Sequence, residues 1–472
     1  MQKKSFVFFL AAVLAVSLAS QAFATKRPHP SELEYDPIKI TMPEITEMST
    51  SNGMECIFIE DHEIPIVDVV VLVKTYFPGK DKYGLNEMAA WVMRNGGTEK
   101  WPGDKLNDEL EFLAASIEAY GRNLSTVLSF NCLKKDLPRV LEMFADVVMN
   151  PAFPEEKIEM KRGTMLEDIR RKNDEPGPVS RREYGKLIYR DHPYSWEETT
   201  ESVSSIARED LVAFHSKYFH PDNAIIGISG DVTEEEITEA LEGAFAGWEK
   251  GNVTIPEVPD IPVEPSPSVS YAYMDINQAH IRIGHLGINS NDPDRCAVNI
   301  MDFILGSGSF TSWIIEKVRA DEGLAYSAGT NYSSDPWVKG MFTASAQTKA
   351  ESCSRAITLM IDLIKRMKEA GPTEEEVKKA VDSYVNGQVF DYESKSRLVQ
   401  RLVSLRYQGR PLDTPQKDME TYAKMTVEDV REAARKHLHP DKLTMMVVGN
   451  AELFDRPLAD FGKVNEIELE TE

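Results

Sequence analysis

Two hydrogen-bond donors spaced for chemistry stand in the second half of the chain, in Ile304-Leu-Gly306-Ser307-Gly308-Ser309-Phe310-Thr-Ser-Trp313-Ile-Ile-Glu-Lys-Val318-Arg319-Ala-Asp-Glu-Gly323-Leu-Ala-Tyr326. Arg319 offers a guanidinium and Tyr326 a phenol, with no base between them. Such a pair suits a peptide carbonyl or a developing oxyanion. A solvated cation at a helix end and an edge residue of the core satisfy the same spacing, so the pair alone leaves both readings open. The elements that must hold it are legible nearby. Gly306 and Gly308 permit positive φ and close backbone approach. Trp313, Ile314, Ile315 and Val318 give a short helix an apolar side. Gly323 stands where a helix C-cap belongs, and Tyr326 opens a strand.

Other chemistries lack their residues. The nine histidines fall at 29, 62, 192, 215, 220, 280, 285, 437 and 439, and no two are four apart. No helix face therefore carries His-x-x-x-His. There is no Ser-His-Asp elbow, no P-loop and no Cys-rich metal motif. His220 and His439 read as loop caps, and a helix C-terminal dipole accounts for at least one of His437 and His439. Cys56, Cys132, Cys296 and Cys353 are scattered, as buried free thiols are, although export would permit a disulfide such as Cys56 with Cys132.

The chain has 472 residues, 42% of them hydrophobic, which supports two or three domains with real cores. A net charge of −24 argues against nucleic acid or an anionic membrane surface as a partner. Met1-Gln-Lys3-Lys4, an apolar run from Ser5 to Ser20 and Ala22-Phe-Ala24 read as a secretory signal peptide over 1–24. No other run is long enough to span a bilayer. The mature protein is expected to be exported, to the periplasm in a bacterium.

Residues 25–47 form a Pro-rich lead-in. Strands are expected at Gly53–Glu60, Ile66–Val73, Ser125–Cys132 and Ala224–Ser229. Helices are expected over 84–93, 106–115, 137–148, 154–172 and 209–218. The order then repeats. Pro154-Glu-Glu-Lys-Ile158 returns as Thr373-Glu-Glu-Glu-Val377, Glu209-Asp-Leu211 as Glu428-Asp-Val430, His220 as His439 and Gly230 as Gly449, always 219 positions on. One offset across four landmarks implies a tandem duplication of an α+β unit. The copies span 48–250 and 268–465, separated by a Pro-rich linker, 251–267, and followed by an acidic tail, 466–472.

The Arg319–Tyr326 stretch, with Gly323-Leu-Ala-Tyr326 at its end, resembles the second-domain signature of the insulinase/pitrilysin family of zinc peptidases, which includes the mitochondrial processing peptidase and bacterial relatives. The resemblance extends to the duplicated layout. It implies two tandem homologous domains, each a mostly antiparallel sheet packed with helices, together half of a clamshell. In that family an Arg/Tyr pair contacts substrate at the zinc. The catalytic half carries His-x-x-Glu-His on its first helix, two ligands and a general base, with a Glu ligand on a later helix. Here the matching stretch is Gly84-Leu-Asn-Glu87-Met-Ala-Ala90-Trp91. Glu87 stands at the first ligand, Ala90 at the base and Trp91 at the second ligand. Asp168, or Glu167, stands at the third. The resemblance thus implies a member without zinc chemistry of its own.

Three functions follow as expectations. One is a non-catalytic subunit that lends Arg319 and Tyr326, with the Gly306, Ser307, Gly308, Ser309 loop, to a zinc-bearing sister chain for peptide hydrolysis. Another is a catalytically dead peptide-binding or scaffold protein of the same fold. A self-sufficient hydrolase with an unrecognised site is the last. In the first, zinc sits on the partner and none on this chain.

Overall fold

The β-branched run Ile66–Lys74 lies inside a sheet, as its composition requires, and it is buried on both faces. In the computed structural model, which describes residues 42–262, 265–308 and 310–470, the first sheet holds six strands. These are β1 (Thr46–Ser49), β2 (Glu55–Glu60), β3 (Ile66–Lys74), β4 (Ser116–Gly121), β5 (Ser125–Leu133) and β6 (Ala224–Gly230). Their order is β1-β2-β6-β3-β5-β4, antiparallel throughout except for β2 beside β6.

The second half adds β7 (Ser268–Tyr273), β8 (Gln278–Leu286), β9 (Ile288–Asn289), β10 (Ala325–Tyr332), β11 (Ser334–Asp335), β12 (Met341–Lys349), β13 (Thr444–Gly449) and β14 (Val464–Glu466). A second six-stranded sheet runs β10-β12-β8-β13-β7-β14, and β9 and β11 form a separate parallel pair. Leaving out one outer strand of each, the two orders superpose, β2-β6-β3-β5-β4 on β7-β13-β8-β12-β10. The single parallel step, β2 with β6, recurs as β7 with β13. Gly230 pairs with Val67 and Gly449 with Ala279, so the register repeats too. The fold is α+β, with two like sheets packed with helices.

Each sheet has its own core. Val67, Val69, Val71 and Val73 of β3 meet Met88, Val92 and Met93 of helix Leu85–Gly96 and Val140, Phe144 and Val147 of helix Leu137–Met149. Ile281 and Ile283 of β8 do the same with Ile357 and Ile364 of helix Cys353–Glu369. Each such fully buried aliphatic side chain contributes about 1.5–3 kcal/mol relative to exposure.

The opposite faces are covered by exchange. Helix Pro176–Tyr189, from the first half, packs Val179, Tyr184 and Ile188 against Met446 and Val448 of β13. Helix Lys395–Tyr407, from the second half, lies across β6, β2 and β3 of the first sheet. The two helices start 219 positions apart, so they are the same element of the repeat. The expectation of a helix over 106–115 shifts to Gly103–Phe112, because Ala114 takes a φ of +49° and ends it. All four cysteines are buried free thiols, Cys56 and Cys132 among them. Burial pushes both of those thiols up to about 12, which keeps them protonated and unreactive. Among the described residues no helix is long and apolar enough to cross a membrane. The signal-peptide residues lie outside the described residues.

Candidate functional site

Helix Arg295–Asp302 does not stop at the glycines. It widens into a π turn, Phe303–Ser307, closed by the Gly308 N–H donating to the Phe303 carbonyl at 3.1 Å. Neither Gly306 nor Gly308 adopts positive φ, which corrects that expectation. Their use is clearance, and it is internal. A Cβ on Gly306 would stand 2.6 Å from the Thr330 nitrogen of β10. One on Gly308 would stand 2.5 Å from the Phe303 carbonyl. Asp302 is buried beneath this turn and accepts from the Tyr332 N–H at 3.0 Å, and burial raises its pKa. Ser307 is exposed, and Ser309 lies outside the described residues.

Trp313, Ile314 and Val318 are buried as their pattern requires. A second π turn, Ile315–Asp321, carries Arg319. Gly323 ends it at a φ of +63°, and the Leu324 N–H reaches back to the Val318 carbonyl at 3.0 Å. That bond is one residue wider than the usual helix-closing bond, as π winding demands. Arg319 is exposed, its guanidinium 5.2 Å from the ring centre of Phe310, itself 71% exposed. Tyr326 is 80% exposed. It is the extra residue of a β-bulge, since Ala325 pairs with Thr348 and Ser327 with Gln347. A bulge re-aims a side chain, here out of the pleat. Among the described residues neither side chain has a hydrogen-bond partner, so their donors are available to a ligand. Phe310, the rest for Arg319, has no sequence signal beyond being an apolar residue in a polar loop.

The residues expected at the family's metal position also have a defined setting. Glu87 and Asp168 come to one cavity of about 260 Å³, which Met165, Arg182, Glu197 and Glu198 also line. Glu167 turns away to pair with Arg170 at 3.4 Å. Ala90 is in the core and Trp91 packs partly buried against it. Cations of this chain already stand against its carboxylates. Lys161, 8% exposed, places its ammonium 2.5 Å from the Glu87 carboxylate. Arg182 stands 3.2 Å from Glu197. Burial, then repulsion from Glu87 and Glu197, raises the Glu198 pKa. An open zinc site needs three unprotonated ligands converging on one point. An ammonium on Glu87, a methyl at Ala90 and an indole at Trp91 do not fit it. Lys161 escaped the sequence reading because its helix is charged on most sides. Asp292, Asp294 and His437 form another group, with ligand atoms within 4.8 Å of one another, which sequence spacing did not reveal. It is already engaged from within, with His437 Nε2 2.8 Å and Lys436 Nζ 2.6 Å from Asp294.

Residues 81–197 match the description "Insulinase (Peptidase family M16)" and residues 205–384 match "Peptidase M16 inactive domain", together more than half of the chain. The chain belongs to the M16 peptidase family. A crystal structure described as a peptidase M16 inactive domain from Pseudomonas fluorescens superposes with a TM-score of 0.81 at 25% identity, over 88% of this chain and all of that one. An "Uncharacterized zinc protease" of Rickettsia bellii is 25% identical over 59% of this chain and 67% of its own length. The "Non-peptidase homolog YmxG" of Helicobacter pylori is 23% identical over 79% of this chain and 85% of its own. With no proton-transferring group at Ala90 and no lone-pair nitrogen at Trp91, this M16 chain has the fold of a catalytically dead member.

Proposed function

We propose that this chain is the exported, non-catalytic subunit of a two-chain M16 zinc peptidase, lending Arg319 and Tyr326 to the zinc site of a His-x-x-Glu-His sister chain. The observation that carries the reading is the bulge that holds Tyr326 in solvent while Arg319, on the facing π turn, keeps its donors unpaired among the described residues. A scaffold has no need of two exposed donors so placed. A peptide lies against a sheet edge by main-chain hydrogen bonds. Arg319 and Tyr326 orient its scissile carbonyl and donate to the oxygen as charge develops there. The halves 48–250 and 268–465 act as one wall of the chamber.

The test is turnover of an unstructured peptide by the reconstituted pair. This chain alone should be inactive and carry no stoichiometric zinc by elemental analysis. Added to its sister chain it should raise turnover. Tyr326→Phe should lower that turnover by about 10²–10³, the usual loss for one oxyanion donor. Arg319→Lys should also be damaging, since an ammonium cannot reproduce the guanidinium fork. If both variants stay within about twofold of wild type, far short of that loss, the pair has no such role. Export is checked by N-terminal sequencing, expected to begin at Thr25; retention of Met1 refutes it.

A second reading, a peptide-binding or scaffold protein, draws support from two facts. The glycine clearance is used by β10 of the same chain, and Arg319 rests on Phe310. It also fits the relative called a non-peptidase homolog. It predicts no gain in turnover on mixing.

A further inference from the structure

The face of the second sheet turned away from its core carries a cavity of about 390 Å³ that begins one residue beyond Tyr326. Strand alternation builds its floor. Ser327, Gly329 and Asn331 of β10 share one face, and Gly329 stands in register with Ser345 of β12, which stands in register with Arg282 of β8. Asn331 is likewise opposite Thr343. The roof comes from helix 176–189, which contributes Arg181 and Tyr184.

The charge of this cavity runs against that of the molecule. In a chain of net charge −24, two guanidiniums and no carboxylate line it among the described residues. Arg282 is half-buried, and its Nε donates to Ser180 Oγ at 3.2 Å. No hydrogen bond to either of its terminal nitrogens is found among the described residues, nor any to Arg181. Burial and the nearby Arg181 both disfavour the charged form of Arg282. Two like charges held together without a counterion, over a floor of hydroxyls and an amide, form a site that an anion completes.

We propose that this cavity is an oxyanion subsite, taking the carboxylate of a peptide whose adjoining backbone lies against β10 at Tyr326. Arg282 and Arg181 supply the charge, and the Ser345 hydroxyl supplies a neutral donor. The identity of the ligand rests on the peptide-binding reading above; the affinity for an oxyanion does not.

The experiment measures binding of one labelled, unstructured peptide to the full chain by fluorescence anisotropy, as its C-terminal free acid and as its amide. The acid should bind about tenfold more tightly, the worth of one charge-assisted hydrogen-bonded pair. The preference should vanish in Arg282→Gln and shrink in Arg181→Gln, whose exposed position makes misfolding no explanation. Acid and amide binding wild type within twofold, or a preference that survives both variants, overturns the proposal. A second arm needs no peptide. Inorganic phosphate, against chloride at equal ionic strength, should raise the melting temperature of wild type and not of Arg282→Gln. If neither peptide form binds while phosphate does, the peptide-binding reading falls and a free oxyanion replaces the peptide carboxylate as ligand. If phosphate does not stabilise wild type either, the oxyanion site falls with it.

Discussion

Gly227 of β6 is where helix 395–407 presses on the first sheet. A Cβ at that position would stand 2.4 Å from Val399 Cγ1, 2.6 Å from Val403 Cγ2 and 3.1 Å from Val70 Cγ1. Carbon atoms rest at about 3.5–4.0 Å, so Gly227→Ala overlaps two methyls by roughly 1 Å each. Neither methyl can swing aside, because valine in a helix has one strongly preferred χ1. The helix must lift instead. Overpacking of this kind costs about 1–3 kcal/mol, and two clashes place Gly227→Ala near 2 kcal/mol. Val399→Ala alone removes two buried methyl groups, at about 0.8 kcal/mol each. In the double variant the new methyl fills part of the space that Val399 vacates. Its cost should therefore fall short of the sum of the singles by more than about 1 kcal/mol. Urea denaturation of wild type, both singles and the double, followed by circular dichroism, gives all four values. If Gly227→Ala lies within about 0.5 kcal/mol of wild type, or the singles add within about that margin, the helix is not seated as described.

Two further outcomes are expected. Glu87→Gln should leave the turnover of a reconstituted pair unchanged and yet destabilise the fold, because it strips the counterion from Lys161. The Lys161 side chain is 10% exposed and that of Glu87 50%, so the cost falls between an exposed and a buried pair, about 1–2 kcal/mol; wild-type stability in the same urea assay would remove the pair from the account. His285 is held neutral. Burial lowers its pKa to about 4, and its Nε2 accepts from the His439 N–H at 3.1 Å. Its unfolded value is about 6.5, so between those values the unfolded chain binds the extra proton and stability falls with pH. From pH 7 to 4.5 the loss from this residue is about 2–3 kcal/mol, and His285→Phe should abolish that share; equal pH slopes for the two proteins would refute it.

Much of the fold was legible because the repeat leaves its mark on helix starts. Pro154 and Thr373 cap equivalent helices, as do Ala207 and Thr426. The strands rich in branched residues, β3 and β6, declared their burial. Helix 176–189 was missed because it opens Pro176-Gly177-Pro178, which reads as a turn although proline is tolerated in a first helical turn. The crossing of helices was out of reach for a different reason. Periodicity says that Val399 and Val403 need covering, not that the cover is the other half's sheet. At the site, the donor types of Arg319 and Tyr326 could be read, and so could the lack of a metal-binding or proton-accepting atom in Ala90 and Trp91. The π turns could not, since no residue type specifies an i→i+5 winding, and the glycines that suggested positive φ serve close packing instead. Lys161 looked like one more solvated charge, because burial by a distant helix leaves no local trace.

A lone copy of the repeat could not finish itself. The back of its sheet would be bare, and its crossing helix would have nowhere to lie. Two copies repair both defects at once by trading that helix, which is the economy of a swapped dimer. Joining the copies in one chain turns an encounter between molecules into one within a molecule, at an effective concentration set by a short Pro-rich tether. The tether supplies proximity and the traded helices supply adhesion. A chain nicked between residues 251 and 262 should therefore elute from gel filtration as a single particle, and parting of the fragments without denaturant would show that the trade is not what binds them.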